Sequence, residues 1–344
     1  MTQTYMAAEV AETGQAIRRQ LEANAEAVRK LAAELRAGEP AFVATIARGS
    51  SDHAALFLKH VIELKLGLAC ASLGPSIASL YRALLRLSDA VALTISQSGR
   101  SPDIVAMQRA AKLAGATTIA LVNETDSPAA VDANALLPLL AGEERSVAAT
   151  KSMIASLVAG ESLVAHWSSD AALASALEGL PAVLDAPPAD TPGEIEAALA
   201  AAASAFVIGR GGTFAVAMEA ALKLKETSAI HAEAFSSAEV LHGPAGVVTQ
   251  GFPVLGFAPA PDDAAREGFL ATVDRLATFG AAPLIVDVER HARFPTLVAP
   301  DAGHPMVTPI AALHAFYRLA EATARRRGRN PDDPPHLMKV TRTV

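Results

Sequence analysis

The sequence predicts an α/β protein built from two parallel sheets, each covered by helices on both faces. Three observations carry that expectation. Short apolar runs of strand length alternate with stretches of helical periodicity, the order that builds a parallel sheet. The same run of strand, Arg-Gly turn and helix occurs once in each half of the chain, as duplication and fusion would give. Finally, 344 residues with 51% hydrophobic but only 4% aromatic side chains can fill two ordinary cores with aliphatic material.

Met6 to Arg36 repeats Ile17, Leu21, Val28, Leu31 and Leu35 at helical intervals and predicts one long helix. A strand over Phe42 to Ala47 follows, broken by Arg48-Gly49-Ser50-Ser51 and leading into another helix. Further strands are expected at Ala90 to Ile95 and Thr118 to Val122. Phe206-Val207-Ile208-Gly209-Arg210-Gly211 then restates the first strand and turn, so that Ser51 corresponds to Thr213. Between the halves, Pro181 to Pro192 is rich in proline and acid and reads as a linker. The expected domains are 1–180, including the N-terminal helix, and 193–344. The second is completed by a helix near Gly193 to Ala203, strands near Pro253 to Phe257 and Pro283 to Val286, and a last helix from Pro309 to Arg325. The tail from Gly328 is proline-rich and polar, the usual look of a dispensable terminus.

Bulk composition narrows the function. A formal charge of -7 opposes a nucleic-acid footprint, which would be basic. The run Arg325-Arg326-Arg327 falls where the last helix should end and complements its dipole, with phosphate binding as the other reading. Cys70 is the sole cysteine, and the histidines show no HExxH or His/Cys ligand spacing, so neither a metal nor another cofactor is expected. Met1 to Gln20 carries Glu9 and Glu12 and lacks the apolar core of a secretory signal. No apolar stretch is long enough, and free enough of charge, to span a bilayer. A soluble cytoplasmic protein without membrane or nucleic-acid partners is the expectation.

The most informative loop is Ser96-Gln97-Ser98-Gly99-Arg100-Ser101-Pro102-Asp103. It follows a buried strand and so lies at the carboxyl edge of a sheet, where open α/β folds bind ligands. Ser101 suits an N-cap, Pro102 the first helical position, and Asp103 the positive helix end. Hydroxyls, a Gln amide and helix-start N–H groups together make an anion cradle, with phosphate the natural occupant. A serine-rich helix cap alone would look the same. No Gly-Lys-Ser/Thr follows, so a nucleoside triphosphate is not implied. Thr150 and Lys151, ahead of a long apolar helix, offer a hydroxyl and a charge, or simply a helix start.

The second half holds the densest ionisable set: Lys223, Lys225, Glu226, His231, Glu233, Glu239 and His242. Lys223 and Glu226 share a helix face and can pair, as a solvated ion pair or as something more. His242-Gly243-Pro244 places an imidazole on a rigid turn. A carboxylate and an imidazole so presented suit proton transfer between sugar carbons and oxygens.

These segments resemble the sugar isomerase (SIS) family, and more closely the isomerase half of glucosamine-6-phosphate synthase and the stand-alone SIS-type glucosamine-6-phosphate deaminases. The resemblance is carried by Ile95-Ser96-Gln97-Ser98-Gly99, Val147-Ala148-Ala149-Thr150-Lys151, Glu219 to Glu226, His231-Ala232-Glu233-Ala234, His242-Gly243-Pro244 and Leu337-Met338-Lys339-Val340. It implies two tandem SIS domains. Ser51, Ser96, Gln97, Ser98 and Ser101 would then hold the phosphate and nearby hydroxyls, with the Val147 backbone and Thr150 lining the sugar site. Glu226 would move the proton between C1 and C2, with Lys223 beside it. His242 would assist ring opening from the neighbouring subunit of a homodimer with a shared active site. Lys339 would stand where the synthase has a lysine able to form a Schiff base, making the tail part of the site.

Arg100 stands where the synthase pattern has glutamate, and Ala149 where it has serine. No glutaminase domain precedes Met1, which turns the expected reaction from synthesis to deamination of glucosamine 6-phosphate. The alternatives are an isomerase or deglycase for another phosphosugar, and a non-catalytic phosphosugar sensor.

Overall fold

The computed structural model describes residues 3–186 and 193–339. They form two compact units of discontinuous segments. The first unit contains Thr13–Glu144, Lys151–Pro181 and, from the tail, 338–339; the second contains 3–12, Arg145–Thr150 and the residues from Ala182 to Leu337. The expected N-terminal helix is two helices, α1 (Tyr5–Ala11) and α2 (Thr13–Gly38), separated at Glu12. The apolar periodicity runs across that break, so the sequence signals no stop there. Thr4 caps α1 through its side chain, and the Asp332 carboxylate accepts the Tyr5 and Met6 N–H groups, each at 2.8 Å.

In the first unit the elements follow in the order β1 (Phe42–Ile46), α3 (Ser50–Leu66), β2 (Cys70–Ser72), α4 (Ser76–Ser79), β3 (Ala90–Ser96), α5 (Pro102–Leu113), β4 (Thr117–Val122), α6 (Pro128–Asp132) and β5 (Ala135–Pro138). α7 (Lys151–Trp167) follows, then α8 (Ala171–Asp185), whose residues from Ala182 count with the second unit. The sheet is parallel throughout, with order β2-β1-β3-β4-β5. Every residue of β3 is buried, which explains its unbroken apolar run. α7 is buried on all sides except at His166.

The second unit contains α9 (Gly193–Ala201), β6 (Ser204–Gly209), α10 (Gly212–Ser228), β7 (His231–Ser236), β8 (Pro253–Phe257), α11 (Arg266–Thr278), β9 (Ala282–Asp287), β10 (Thr296–Val298) and α12 (Thr308–Arg326). Its parallel sheet has order β10-β9-β8-β6-β7, the order of the first sheet read from its other edge. The repeat extends to the backbone. Gly49 precedes α3 at φ 57°, ψ -133°, and Gly211 precedes α10 at φ 58°, ψ -131°. A side chain is rarely tolerated in that region, so glycine is required at both turns.

Pro181 to Asp185, expected as linker, belongs to α8. The buried stripe Leu173, Leu177, Leu180 and Leu184 carries the helix past Pro181, and packing outweighs the hydrogen bond that proline removes. The rest of the expected linker, 187–192, lies outside the described residues. His231 to Phe235, read as part of a polar stretch, lies in the edge strand β7. Among the described residues no helix is long and apolar enough to cross a membrane.

Candidate functional site

The serine-rich loop runs from the end of β3 into α5. Gly99 has φ 60°, and a methyl group added there would lie 2.2 Å from Ser127 Oγ, so both conformation and space demand glycine. The Ser96 hydroxyl accepts the Gly99 N–H at 3.0 Å, and the Ser98 hydroxyl accepts the Arg100 N–H at 3.3 Å. Each serine oxygen thus shapes the loop while its own O–H proton stays available to donate. Ser101 occupies the N-cap position before Pro102, yet its hydroxyl makes no capping bond. Arg48, from the turn after β1, reaches Asp103 at 3.1 Å, where the carboxylate is fully buried. That pair ties the Ser51 turn to the serine loop. The side chains of Ser51, Gln97 and Ser101 are half-buried. Arg100 pairs at the surface with Asp126 at 2.6 Å.

The second unit concentrates its chemistry on α10. Lys223 and Glu219 are fully buried, with their charged atoms 3.3 Å apart. Lys223 also bonds to Glu226, whose side chain is 21% exposed. Tyr317, from α12, donates its hydroxyl to Glu219 Oε1 at 3.3 Å. The result is a chain Tyr317–Glu219–Lys223–Glu226, closed at the buried end and open at Glu226. Burial alone would lower the Lys223 pKa, but the two carboxylates reverse this and raise it above the ordinary lysine value. Lys223 therefore stays an ammonium. The pair that the sequence allowed as a solvated one has its lysine fully buried and only its glutamate partly exposed. His242 is exposed on its turn, followed by Gly243 at φ 135° and the 3-10 turn Pro244–Val247.

The stretch before α7 divides between the units. In the second unit the Val147 N–H donates to the Asp332 carbonyl at 3.1 Å, and Thr150 is fully buried. In the first unit Lys151 is also buried, and its ammonium donates to the Glu143 carbonyl at 3.0 Å. Lys339 is seated on Glu144, Nζ to Oε2 at 2.8 Å, also in the first unit. Burial would raise the Glu144 pKa, but Lys339 and Ser152 together bring it below the usual carboxylate value.

The structure thus groups Ser96, Gln97, Ser98 and Ser101 on one loop, and Lys223 with Glu226 on one helix. Glu226 and His242 belong to the second unit and Lys339 to the first. Sequence reasoning missed Glu219, Tyr317, Glu144, Ser152 and the Arg48–Asp103 pair. Only Glu219, four residues before Lys223, left a readable signal. The arginine run is engaged locally. Arg325 and Arg326 face Glu321 and Glu196 at 3.7 and 3.3 Å, and Arg327 donates to the Ala200 and Ala202 carbonyls at 2.6 and 2.8 Å. Burial pushes the Cys70 thiol up to about 11, so it is not a ready nucleophile. Among the described residues no group of three or more His, Cys, Asp or Glu is placed to hold a metal ion.

The structure is thus two parallel α/β units, one with a hydroxyl-rich loop at the carboxyl edge of its sheet and one with a buried charge ladder on a helix. The chain matches the SIS domain over residues 42–166 and 198–287, and it belongs to the SIS domain family. It is 34% identical over 334 residues to a glutamine–fructose-6-phosphate aminotransferase (isomerizing) from Symbiobacterium thermophilum, covering 90% of this chain and 52% of that protein. The chain therefore spans about half the length of that relative. A crystal structure from Silicibacter pomeroyi, provisionally described as a phosphosugar isomerase, is 46% identical with a TM-score of 0.90, covering 96% of this chain and 100% of that one. A glucosamine-6-phosphate deaminase from Thermotoga maritima shares the fold at 20% identity and a TM-score of 0.74, covering 99% and 100%.

Proposed function

We propose that the protein is a phosphosugar isomerase acting on an amino sugar, with the overall reaction glucosamine 6-phosphate plus water to fructose 6-phosphate plus ammonia. The observation that supports this most is the chain Tyr317–Glu219–Lys223–Glu226, which holds one carboxylate at the open end of a buried charge ladder. The Silicibacter pomeroyi and Symbiobacterium thermophilum relatives carry the sugar class, since their names specify phosphosugar isomerisation and amino transfer to fructose 6-phosphate.

In this reading Ser51, Ser96, Gln97, Ser98 and Ser101 hold the phosphate, and the Val147 carbonyl and Thr150 line the sugar. His242 of a second copy assists ring opening, which makes the working form a homodimer. Glu226 takes the C2 proton and returns it at C1 through an enolamine, leaving an imine at C2. Water adds to that imine and ammonia departs, so the atoms balance. Lys223 keeps Glu226 oriented until the proton moves, and Lys339 offers a cation or an amine to the open-chain ketose.

Incubation of purified protein with glucosamine 6-phosphate, followed by ammonia and fructose 6-phosphate assays, tests the proposal. Both products should appear, and Glu226→Gln should cut turnover by roughly 10²–10⁴-fold, the span of a lost general acid–base group. No ammonia from the native protein, with turnover of another phosphosugar in a parallel panel, would move the substrate while keeping the isomerase.

A further inference from the structure

The proposed reaction draws Lys339 from a proline-rich terminus, so its amine needs a fixed partner, and this inference rests on that proposed reaction. In the first unit the partner is Glu144. Its side chain is fully buried at the start of α7. Oε1 accepts the Ser152 backbone N–H at 2.9 Å, and Oε2 accepts both the Ser152 hydroxyl at 2.6 Å and the Lys339 ammonium at 2.8 Å. Ser152 lies in the first turn of α7, where N–H groups and the helix dipole both favour an anion. The serine therefore fixes the carboxylate from two sides and leaves one oxygen directed at the incoming lysine.

A buried carboxylate is costly unless paired, and a tail that swung freely would leave this one without its cation. The Lys339 side chain keeps 25% of its surface exposed while Glu144 has none. The anchor is thus hidden, while part of the lysine side chain it holds stays exposed. Such an arrangement fits a support for a working group better than a staple, whose two ends would both be sequestered.

We infer that Glu144, fixed by Ser152 at the start of α7, is the positioning residue that seats the Lys339 amine for reaction. It acts through Lys339 rather than on the sugar. Loss of Glu144 should therefore affect the orientation of the amine more than the affinity for the phosphorylated substrate.

The test uses the full-length chain with Glu144→Gln, Glu144→Asp, Ser152→Ala, Lys339→Ala and the double variant Glu144→Gln/Lys339→Ala. Acetylation of Lys339 by acetic anhydride is followed by peptide mass spectrometry, with the other lysines as internal references. Glu144→Gln should speed Lys339 acetylation roughly tenfold, the scale of one lost charge-assisted hydrogen bond. It should lower kcat by roughly ten- to a hundredfold with little change in KM, and Glu144→Asp should recover part of that loss. The double variant should be no slower than Lys339→Ala alone, because the two residues act as one unit. Should Glu144→Gln fail to fold, Ser152→Ala carries the same test with a smaller rise in acetylation.

Native-rate acetylation of Lys339 in Glu144→Gln, or in Ser152→Ala where that variant is the one tested, overturns the inference. So does a double variant that loses the product of the two single effects. Lys339→Ala turning over at the native rate sinks the role proposed for Lys339 and this inference with it. The acetylation result then still reports whether Glu144 grips the lysine.

Discussion

Helices α3 and α10 each contain 17 residues, follow equivalent strands and begin after glycines of nearly identical backbone angles. Their side chains diverge. Where α3 has Phe57 and Val61 in its core, α10 has Glu219 and Lys223; where α3 has exposed Leu64, α10 has Glu226. The loops diverge in the opposite sense. The β3–α5 loop of the first unit is Ser96-Gln97-Ser98-Gly99-Arg100-Ser101, whereas its counterpart after β8 is Ala258-Pro259-Ala260-Pro261-Asp262-Asp263. Two prolines there lack N–H donors, two aspartates repel anions, and Arg266 is taken up by the Pro259 carbonyl, Asp287 and Glu289. One backbone plan thus serves twice, with a hydroxyl-rich loop in one unit and a buried charge ladder in the other. The difference between the units lies in side chains, because the backbone permits either set.

The largest effect is expected from undoing that divergence on α10. Lys223→Met leaves the Glu219 carboxylate buried without its cation and should cost about 3–5 kcal/mol by denaturant unfolding. Adding Glu219→Leu removes the stranded charge and should recover most of the loss, since apolar replacement of a buried ion pair is often neutral or better. The double variant should be folded and inactive. If it is no more stable than Lys223→Met alone, the ladder is structural and the contrast with α3 means little for chemistry.

The loops offer the next break. Gly99→Ala must overcome a left-handed backbone as well as the 2.2 Å approach to Ser127 Oγ, so a loss of roughly 2–3 kcal/mol is expected. Phosphate protection against thermal unfolding should disappear with it. Gly303→Ala, also at positive φ (72°) but with no atom within 4 Å of the added methyl group, separates the two costs. That variant carries only the conformational share and should lose about half as much.

What was legible in advance follows the same division. The six strands expected from the sequence, β1, β3, β4, β6, β8 and β9, are the inner strands of their sheets. The four missed ones, β2, β5, β7 and β10, are the edges. An inner strand is buried on both faces and leaves a continuous apolar run. An edge such as Cys70-Ala71-Ser72 buries one residue and exposes two, so it carries no run to read. The serine loop and the Lys223/Glu226 spacing were visible because each lies within a few residues of sequence. Tyr317 and Glu219 meet across 98 positions, and Lys339 and Glu144 across 195, distances over which no local pattern operates.

Two buried carboxylates extend the comparison to pH. Glu219 has a lysine and a tyrosine; Glu161, in α7, is equally buried but its two oxygens have no hydrogen-bond partner, and Lys65 acts on it only through space. Burial raises the Glu161 pKa well above the ordinary value. The folded state therefore binds this proton more tightly than the unfolded chain does. Stability from Glu161 is complete below the unfolded value near ~4.3 and is lost as pH rises toward the folded value. Glu161→Gln removes that slope. The variant should gain on the native protein steadily as pH rises above the unfolded value. Urea unfolding of both proteins at several pH values measures it; a stability difference independent of pH would mean that Glu161 is not held neutral.

The smallest effect comes from the ends of the matched helices. α3 ends on Gly67 at φ 67°, and α10 ends on Ala229 at φ 48°, both in the left-handed conformation that closes a helix. The Ala229 N–H donates to the Lys225 carbonyl and the Ile230 N–H to the Leu224 carbonyl, so the cap is complete and only the methyl group is strained. Ala229 is exposed, and its methyl group contributes little packing. Ala229→Gly should therefore stabilise the protein by about 0.5–1 kcal/mol, against the usual direction for alanine to glycine. The reciprocal Gly67→Ala should cost a similar amount, since nothing lies within 4 Å of the added methyl group to change the balance. Thermal melts of the two variants should shift in opposite directions. Equal shifts would show that the αL strain at the two helix ends is carried by the same backbone geometry, as their starts at Gly49 and Gly211 already suggest.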